Sequence, residues 1–170
     1  MATYGEVPKG AELIAQFYER KRGSYRFDLH PELWAIPEIG TFYGARVWTT
    51  TRFTNPSTID IPAEPGIYMF VVAPHCGNLK DHSYIFYVGQ TLDLRRRYRN
   101  YLDEQKGLGP NPREKVVQFL DHLQAYVYFH YTLVAKDELD VAENLLKDNL
   151  TPPANDRTKV VGRLAAGVPA

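Results

Sequence analysis

Cysteine is nearly absent from this sequence, since Cys76 is the only one among 170 residues. A single cysteine forms no intramolecular disulfide and builds no cysteine-rich zinc site. Long apolar runs are also missing, so we expect no membrane-spanning helix and no membrane partner. Residues 1–6 lack a charged start followed by an apolar run. We therefore expect no signal peptide and a cytoplasmic location.

An excess of charge of either sign is lacking as well. Twenty Lys and Arg residues balance twenty Asp and Glu residues, so the net charge gives no support for a nucleic-acid partner. Residues 95–99 read Arg-Arg-Arg-Tyr-Arg and form a dense basic patch, although such a run is also typical of a solvated helix face. A length of 170 residues and 44% hydrophobic content are typical of one globular domain.

The apolar pattern predicts an α+β fold, with a small, mainly antiparallel central sheet flanked by helices. Residues 1–60 are expected to form an N-terminal extension packed on the core, with a helix at 9–22. Residues 24–64 look irregular apart from one strand at 45–53. The domain at 61–170 is predicted to run strand, strand, helix, helix, strand, helix, at residues 66–73, 84–89, 92–105, 113–123, 125–134 and 137–150.

The second half of the chain carries residue types that suit phosphodiester hydrolysis. That reaction needs a deprotonated water, and it needs a cation and an Arg to neutralise charge on the phosphoryl oxygens. Tyr68 and Tyr87 lie on neighbouring predicted strands, Arg97 on the next helix, Glu143 in the last helix and Asn155 after it. Taken singly, these residues are equally typical of cross-strand packing, a solvated helix face and a turn.

Their order and spacing are more specific and resemble the GIY-YIG nuclease superfamily. Residues 66–68 (Gly-Ile-Tyr) and 87–89 (Tyr-Val-Gly) resemble the paired tripeptides that name it. Residues 87–102 look like the family's second strand and first helix. In the family pattern an Arg stands eight positions after the second Gly, as Arg97 does, and four positions later stands His or Tyr, here Tyr101.

The end of the chain continues the resemblance. Residues 142–146 (Ala-Glu-Asn-Leu-Leu) and 152–155 (Pro-Pro-Ala-Asn) are similar to the family's metal-binding helix and the Asn turn after it. The spacing between Glu143 and Asn155 matches that of the amino-terminal nuclease domain in bacterial excision repair. Altogether the resemblance covers residues 64–157, and five elements in the right order are much more specific than one motif.

The resemblance implies a metal-dependent endonuclease that hydrolyses phosphodiester bonds in nucleic acid, with DNA expected rather than RNA, through a one-metal site. Glu143 would be the sole protein ligand of one Mg²⁺ or Mn²⁺, with water and phosphate completing the shell. Arg97 would stabilise the charged transition state. Either Tyr68 or Tyr87 would orient or deprotonate the attacking water, and the sequence favours neither.

Further roles follow from the same resemblance. Tyr101 would contact the phosphate or the water, and Asn155 would maintain the geometry of the site. Many relatives carry Lys directly after the second tripeptide, where it can help to acidify a tyrosine, but this chain has Gln90. The base would then be tuned by Arg95 or Arg96, or the activity would be lower. Substrate contacts are expected from Gln90, Arg95, Arg96 and Arg99.

An alternative function is a catalytically silent module that keeps this fold and binds nucleic acid or protein. Retention of both Arg97 and Glu143 favours the enzyme. Because one site cuts one strand, a homodimer is expected if the protein makes double-strand breaks. His75, Cys76 and His82 lie close together and offer a second metal-site hypothesis, which the lack of another cysteine pair disfavours.

Overall fold

The computed structural model describes residues 36–53, 60–73, 83–108 and 113–155. The helix expected at 9–22, the cluster of His75, Cys76 and His82, and the chain after residue 155 lie outside the described residues.

Four antiparallel strands form one sheet, in the order β1-β4-β2-β3. The strands are β1 (Thr49–Arg52), β2 (Gly66–Val72), β3 (Tyr84–Thr91) and β4 (Val127–Leu133). In the described part of the chain the sheet is flanked by the helices α1 (Pro37–Gly44), α2 (Leu94–Gln105), α3 (Glu114–Leu123) and α4 (Leu139–Leu150). Single 3₁₀ turns at Gln124–Tyr126 and Lys136–Glu138 precede β4 and α4. The predicted α+β fold is confirmed, and among the described helices none is long and apolar enough to span a bilayer.

The sheet separates two apolar clusters, because successive side chains of a strand point to opposite faces. One face is covered by α2 and α3, and its core includes Tyr68, Phe70, Tyr87, Tyr98, Tyr101, Phe119 and Phe129. The other face is covered by α1 and α4, and its core includes Ile39, Phe42, Ile67, Met69, Val88, Leu139, Ala142 and Leu146. The side chains of the edge strand β3 are therefore divided between these two clusters.

A β-bulge in β3 breaks the simple alternation. Phe70 pairs with Tyr87, whereas the next residue, Val71, pairs with Ile85. Phe86 is therefore an extra residue, and both Phe86 and Tyr87 lie in the cluster beneath α2 and α3. Bulges re-aim side chains in this way beside functional sites.

Two elements in the region expected to be irregular differ from the prediction. Pro37 occupies the first turn of α1, where a backbone N–H has no acceptor within the helix, so the lack of one in proline costs nothing. Ile39 and Phe42 of this helix are buried beside α4, so tertiary packing outweighs the low helix propensity of its two glycines. The predicted strand at 45–53 is shorter, and it pairs with β4. This part of the N-terminal extension therefore belongs to the sheet.

Packing of α4 against the sheet can be tested at Leu146, which is fully buried. L146A should lower the free energy of unfolding by about 2–5 kcal/mol, because it removes apolar contacts and leaves a cavity. V141A, on the same helix at a position 72% exposed, should change it by less than about 0.5 kcal/mol. Chemical denaturation followed by circular dichroism measures both, and equal losses would contradict this orientation of α4.

Candidate active site

Tyr68 of β2 and Tyr101 of α2 share a hydrogen bond in the interior. Both side chains are fully buried, and their hydroxyl oxygens are 3.0 Å apart. A phenol removed from water needs such a partner, since an unpaired hydroxyl would be destabilising. The pair therefore links α2 to the sheet.

Glycine in each tripeptide makes this arrangement possible. Gly89 lies opposite Tyr68 in the β2–β3 pair, and a Cβ atom there would sit 2.5 Å from the Tyr68 hydroxyl oxygen and 2.6 Å from its Cζ. At Gly66 a Cβ would overlap the carbonyl oxygen of Thr132 and approach Cδ1 of Leu94 to 2.7 Å. Both glycines are thus needed for close approach.

Tyr87 of β3 points to the same face as Tyr68, and the centroids of the two rings are 6.1 Å apart. Its side chain is nearly buried, at 6% exposure. Arg113, directly before α3, donates a hydrogen bond from Nη1 to the Tyr87 hydroxyl. The same nitrogen lies 3.4 Å from the hydroxyl oxygen of Tyr101. Arg113 was not among the residues expected from the sequence.

Arg97 supplies a second cation on this face. It lies one helical turn before Tyr101, and its Cζ is 5.9 Å from the centroid of the Tyr101 ring. Burial raises the pKa of Tyr68, while Arg97, the hydrogen bond from Tyr101 and Arg113 act in the opposite direction. Burial and the neighbouring Tyr68 likewise raise the pKa of Tyr101. Both phenols are therefore held in the neutral form.

Glu104 connects α2 to the start of α3. Its carboxylate accepts a hydrogen bond from the backbone N–H of Arg113. Burial raises the pKa of Glu104, and this backbone bond and Arg97 partly oppose the rise. Its Oε2 atom is buried without a hydrogen-bond partner within the described residues. Glu104 thus anchors the backbone from which the Arg113 side chain reaches the tyrosines.

Glu143 lies across β3 from the tyrosines. Gln90, which alternation directs toward α4, donates from Nε2 to Glu143 Oε2 at 3.1 Å and to Asp140 Oδ1 at 2.5 Å. Lys147 Nζ lies 3.5 Å from the same Glu143 oxygen, and the Glu143 side chain is 16% exposed. The structure therefore brings Gln90 to Glu143 and not to the tyrosines.

Asn155 is bound to the free edge of β3. Its Oδ1 accepts from the Val88 N–H at 2.8 Å, and its Nδ2 donates to the Val88 carbonyl at 2.7 Å. The Ala154 N–H donates to the carbonyl of Phe86 at 3.1 Å. These bonds pair backbone groups that an edge strand otherwise leaves open, so Asn155 contributes to the geometry of β3 at its middle.

The basic patch on α2 divides into different environments. Arg95 Nε donates to the carbonyl of Ile61 at 2.7 Å, and its Nη2 lies 3.7 Å from Asp60. Arg95 therefore binds the segment before β2, rather than a tyrosine. Arg96 and Arg99 are exposed. The guanidinium that contacts the tyrosine hydroxyls belongs to Arg113, directly before α3.

A curated relative matches half of this chain. The chain is 34% identical over 91 residues to UvrABC system protein C of Finegoldia magna. The match covers 52% of this chain and spans only 12% of the length of that relative. A comparison with models of protein families gave no match.

Three similar solved structures are of the GIY-YIG N-terminal endonuclease domain of UvrC from Thermotoga maritima. The domain bound to magnesium is 23% identical with a TM-score of 0.39, and covers 56% of this chain and 86% of that one. A point mutant of the same domain, bound to its catalytic divalent cation, is 21% identical, with a TM-score of 0.39 and the same coverage.

Close packing at Gly89 can be tested directly. G89A should lower the free energy of unfolding by about 1–3 kcal/mol, because the new methyl group displaces the buried Tyr68 ring. The matched control is G40A in α1, where a Cβ meets nothing within 4 Å. That change should stabilise the protein by about 0.5–1 kcal/mol through helix propensity. Chemical denaturation measures both, and a neutral G89A would contradict the contact.

Alkaline pH should destabilise the protein through its buried phenols. The folded-state pKa values of Tyr68 and Tyr101 lie above 10.0, so the native state keeps protons that the unfolded chain releases. Stability is then fully present below pH 10 and decreases as the pH rises beyond it.

The contribution of one phenol can be isolated by substitution. Y101F should reduce the steepness of the alkaline decrease by up to about 1.4 kcal/mol per pH unit, because one raised phenol is removed. Y126F, at a side chain 45% exposed, should leave the steepness unchanged. Urea denaturation at a series of pH values measures the effect, and identical slopes in all three proteins would contradict it.

Proposed function

We propose that the chain is an endonuclease of the GIY-YIG nuclease superfamily, which hydrolyses phosphodiester bonds in DNA with one divalent cation. The observation that carries the proposal is a convergence at β3. Three tyrosine hydroxyls and two guanidinium groups meet on one side of this strand. Glu143 lies on the other side, bound to Gln90 of the same strand.

Arg97 is suited to the charge that develops during hydrolysis. Its side chain is half-buried beside the ring of Tyr101, and a guanidinium in such a partly desolvated place attracts phosphoryl oxygens more strongly than one in water. Because Arg97 projects from α2 and lies beside the buried Tyr101 ring, its guanidinium should reorganise little during the reaction. We assign Arg97 to stabilising the negative charge of the transition state.

Tyr87 is the better candidate for the base that accepts a proton from the attacking water. Tyr68 is fully buried and its pKa is raised by burial, so it is suited to positioning rather than to ionisation. Tyr87 retains some exposure, and its oxygen already accepts a hydrogen bond from a guanidinium. Hydrogen bonding from a cation favours the phenolate. Tyr101 then holds Tyr68 and lies beside the phosphate position.

The carboxylates near Gln90 suit a hard divalent cation. Glu143 Oε2 and Asp140 Oδ1 both approach the Gln90 amide nitrogen, and oxygen atoms are the ligands that Mg²⁺ and Mn²⁺ prefer. Within the described ranges, no group of three or more His, Cys, Asp or Glu side chains could hold a metal ion. The cation would therefore depend on Glu143, with water and phosphate. When bound, it supplies positive charge to the oxygens of the scissile phosphate.

The exposed face of α2 is the proposed contact with the nucleic-acid backbone. Arg96 and Arg99 are exposed there. The Arg95 side chain is 44% exposed and is also accessible to a phosphate. Because the net charge of the chain is zero, we expect few phosphate contacts outside this patch, so the salt dependence of the affinity should reflect these arginines alone. Cutting both strands of a duplex would need a homodimer or two successive events.

Cleavage assays with matched variants test the proposal. The full chain is incubated with labelled single-stranded DNA, duplex DNA or RNA, in Mg²⁺, Mn²⁺ or EDTA. We expect DNA cleavage that EDTA abolishes, that E143Q abolishes, and that R97Q slows by about 100- to 1000-fold through loss of charge stabilisation. E38Q removes an exposed carboxylate on α1 and should cleave like the wild type.

The remaining outcomes distinguish the alternatives. Binding of nucleic acid without cleavage by the folded wild type would favour the silent binding module. Cleavage that E143Q and R97Q leave unchanged would contradict the site. Faster cleavage of RNA than of DNA would contradict the substrate class.

A further inference from the structure

The position after the second tripeptide carries no cation in this chain, yet a cation reaches the tyrosines from elsewhere. Gln90 turns toward α4 and binds Asp140 and Glu143. Arg95, in the basic patch, binds the carbonyl of Ile61. Arg113 instead contacts the hydroxyls of two tyrosines from the opposite end of α2.

We propose that Arg113 is a positioning residue of the active site, holding the Tyr87 hydroxyl in place and supplying the positive charge that favours its ionised form. This inference rests on the proposed function, with Tyr87 as the base. Nη1 of Arg113 donates to Tyr87 and lies 3.4 Å from Tyr101, so one guanidinium spans the base and the pair that holds Tyr68.

The chain is built to keep Arg113 in this place. Its backbone N–H is bound by the carboxylate of Glu104, and its Cζ lies 5.6 Å from the centroid of the Tyr87 ring. The residue as a whole is exposed, so its guanidinium contacts the tyrosines from the surface of the domain. A guanidinium carries five donors in a rigid fork, enough to contact both hydroxyls at once.

The charged and titratable groups around Tyr87 favour this role. Tyr68 faces it from β2, while Tyr101, Arg97 and Glu104 belong to α2, and Arg113 precedes α3. Tyr68 and Tyr101 are neutral phenols. Two positively charged guanidinium groups and one carboxylate therefore lie near Tyr87, and Arg113 is the cation that is hydrogen-bonded to the Tyr87 oxygen. Its removal should make ionisation of Tyr87 less favourable.

The first measurement needs no nuclease activity. Tyrosine is labelled with ¹³C in the full chain, and Y87F identifies the Tyr87 resonance. In R113Q this resonance should titrate at a higher pH than in the wild type, whereas in R113K and in the control K115Q it should titrate near the wild-type value. An unchanged titration in R113Q would overturn the inference, whatever the nuclease assay shows.

The second measurement is the pH dependence of DNA cleavage. R113Q should lower kcat by about 10- to 100-fold near neutral pH with KM nearly unchanged, because base catalysis is impaired. Part of this loss should be recovered as the pH rises, and R113K should retain more activity than R113Q. A loss that is equal at every pH would indicate a merely structural role and overturn the inference.

A double-variant cycle separates action through Tyr87 from other effects. If Arg113 acts through this residue, Y87F combined with R113Q should be no slower than Y87F alone. If the rate loss of the double variant equals the product of the two single-variant losses, the inference is overturned. A folded wild type that cuts no substrate would contradict the proposed function instead, and the titration would still decide whether Arg113 controls Tyr87.

Discussion

The buried hydroxyl of Tyr68 is the constraint on which the site depends. A phenol without solvent needs an internal partner, and Tyr101 provides it at 3.0 Å. Together with the other buried side chains of α2, this bond positions the helix on the sheet, and with it Arg97 one turn earlier. It also requires Gly89, since no side chain fits where the Tyr68 ring crosses β3. The two tripeptides are thus parts of a single packing arrangement.

β3 organises the site because it is an edge strand. Tyr87 lies in the cluster beneath α2 and α3, while Gln90 points to α4. Within the described sheet, β3 has a neighbouring strand on one side only. A ligand at its other side can therefore approach the side chains of both faces. The unpaired edge would also be open to other strands, and Asn155 closes part of it through two bonds to Val88.

Much of this arrangement was predictable from the sequence, for physical reasons. Strong periodicity predicted α2 and α4, and the tripeptide spacing located Tyr68, Tyr87 and Arg97 on their elements. Helix α1 was missed because its two glycines hide a pattern that only tertiary packing makes helical. The environments of Arg95 and Gln90 were also beyond prediction, since local spacing does not specify long-range partners. Arg113 was missed for the same reason, because its tyrosine contacts join residues distant in the chain.

Whole-chain neutrality conceals a separation of charge across β3. Arg97 and Arg113 lie with Glu104 on the side of the tyrosines, and Asp140 and Glu143 lie with Lys147 on the other side, which leaves one excess positive and one excess negative charge. Under the proposed function, phosphate would bind on the first side and the cation on the second, at the same edge of the sheet. Gln90 is compatible with this separation, because a neutral amide can bind the carboxylates without cancelling their charge. The positive charge bonded to the tyrosine hydroxyls comes from outside β3, from Arg113.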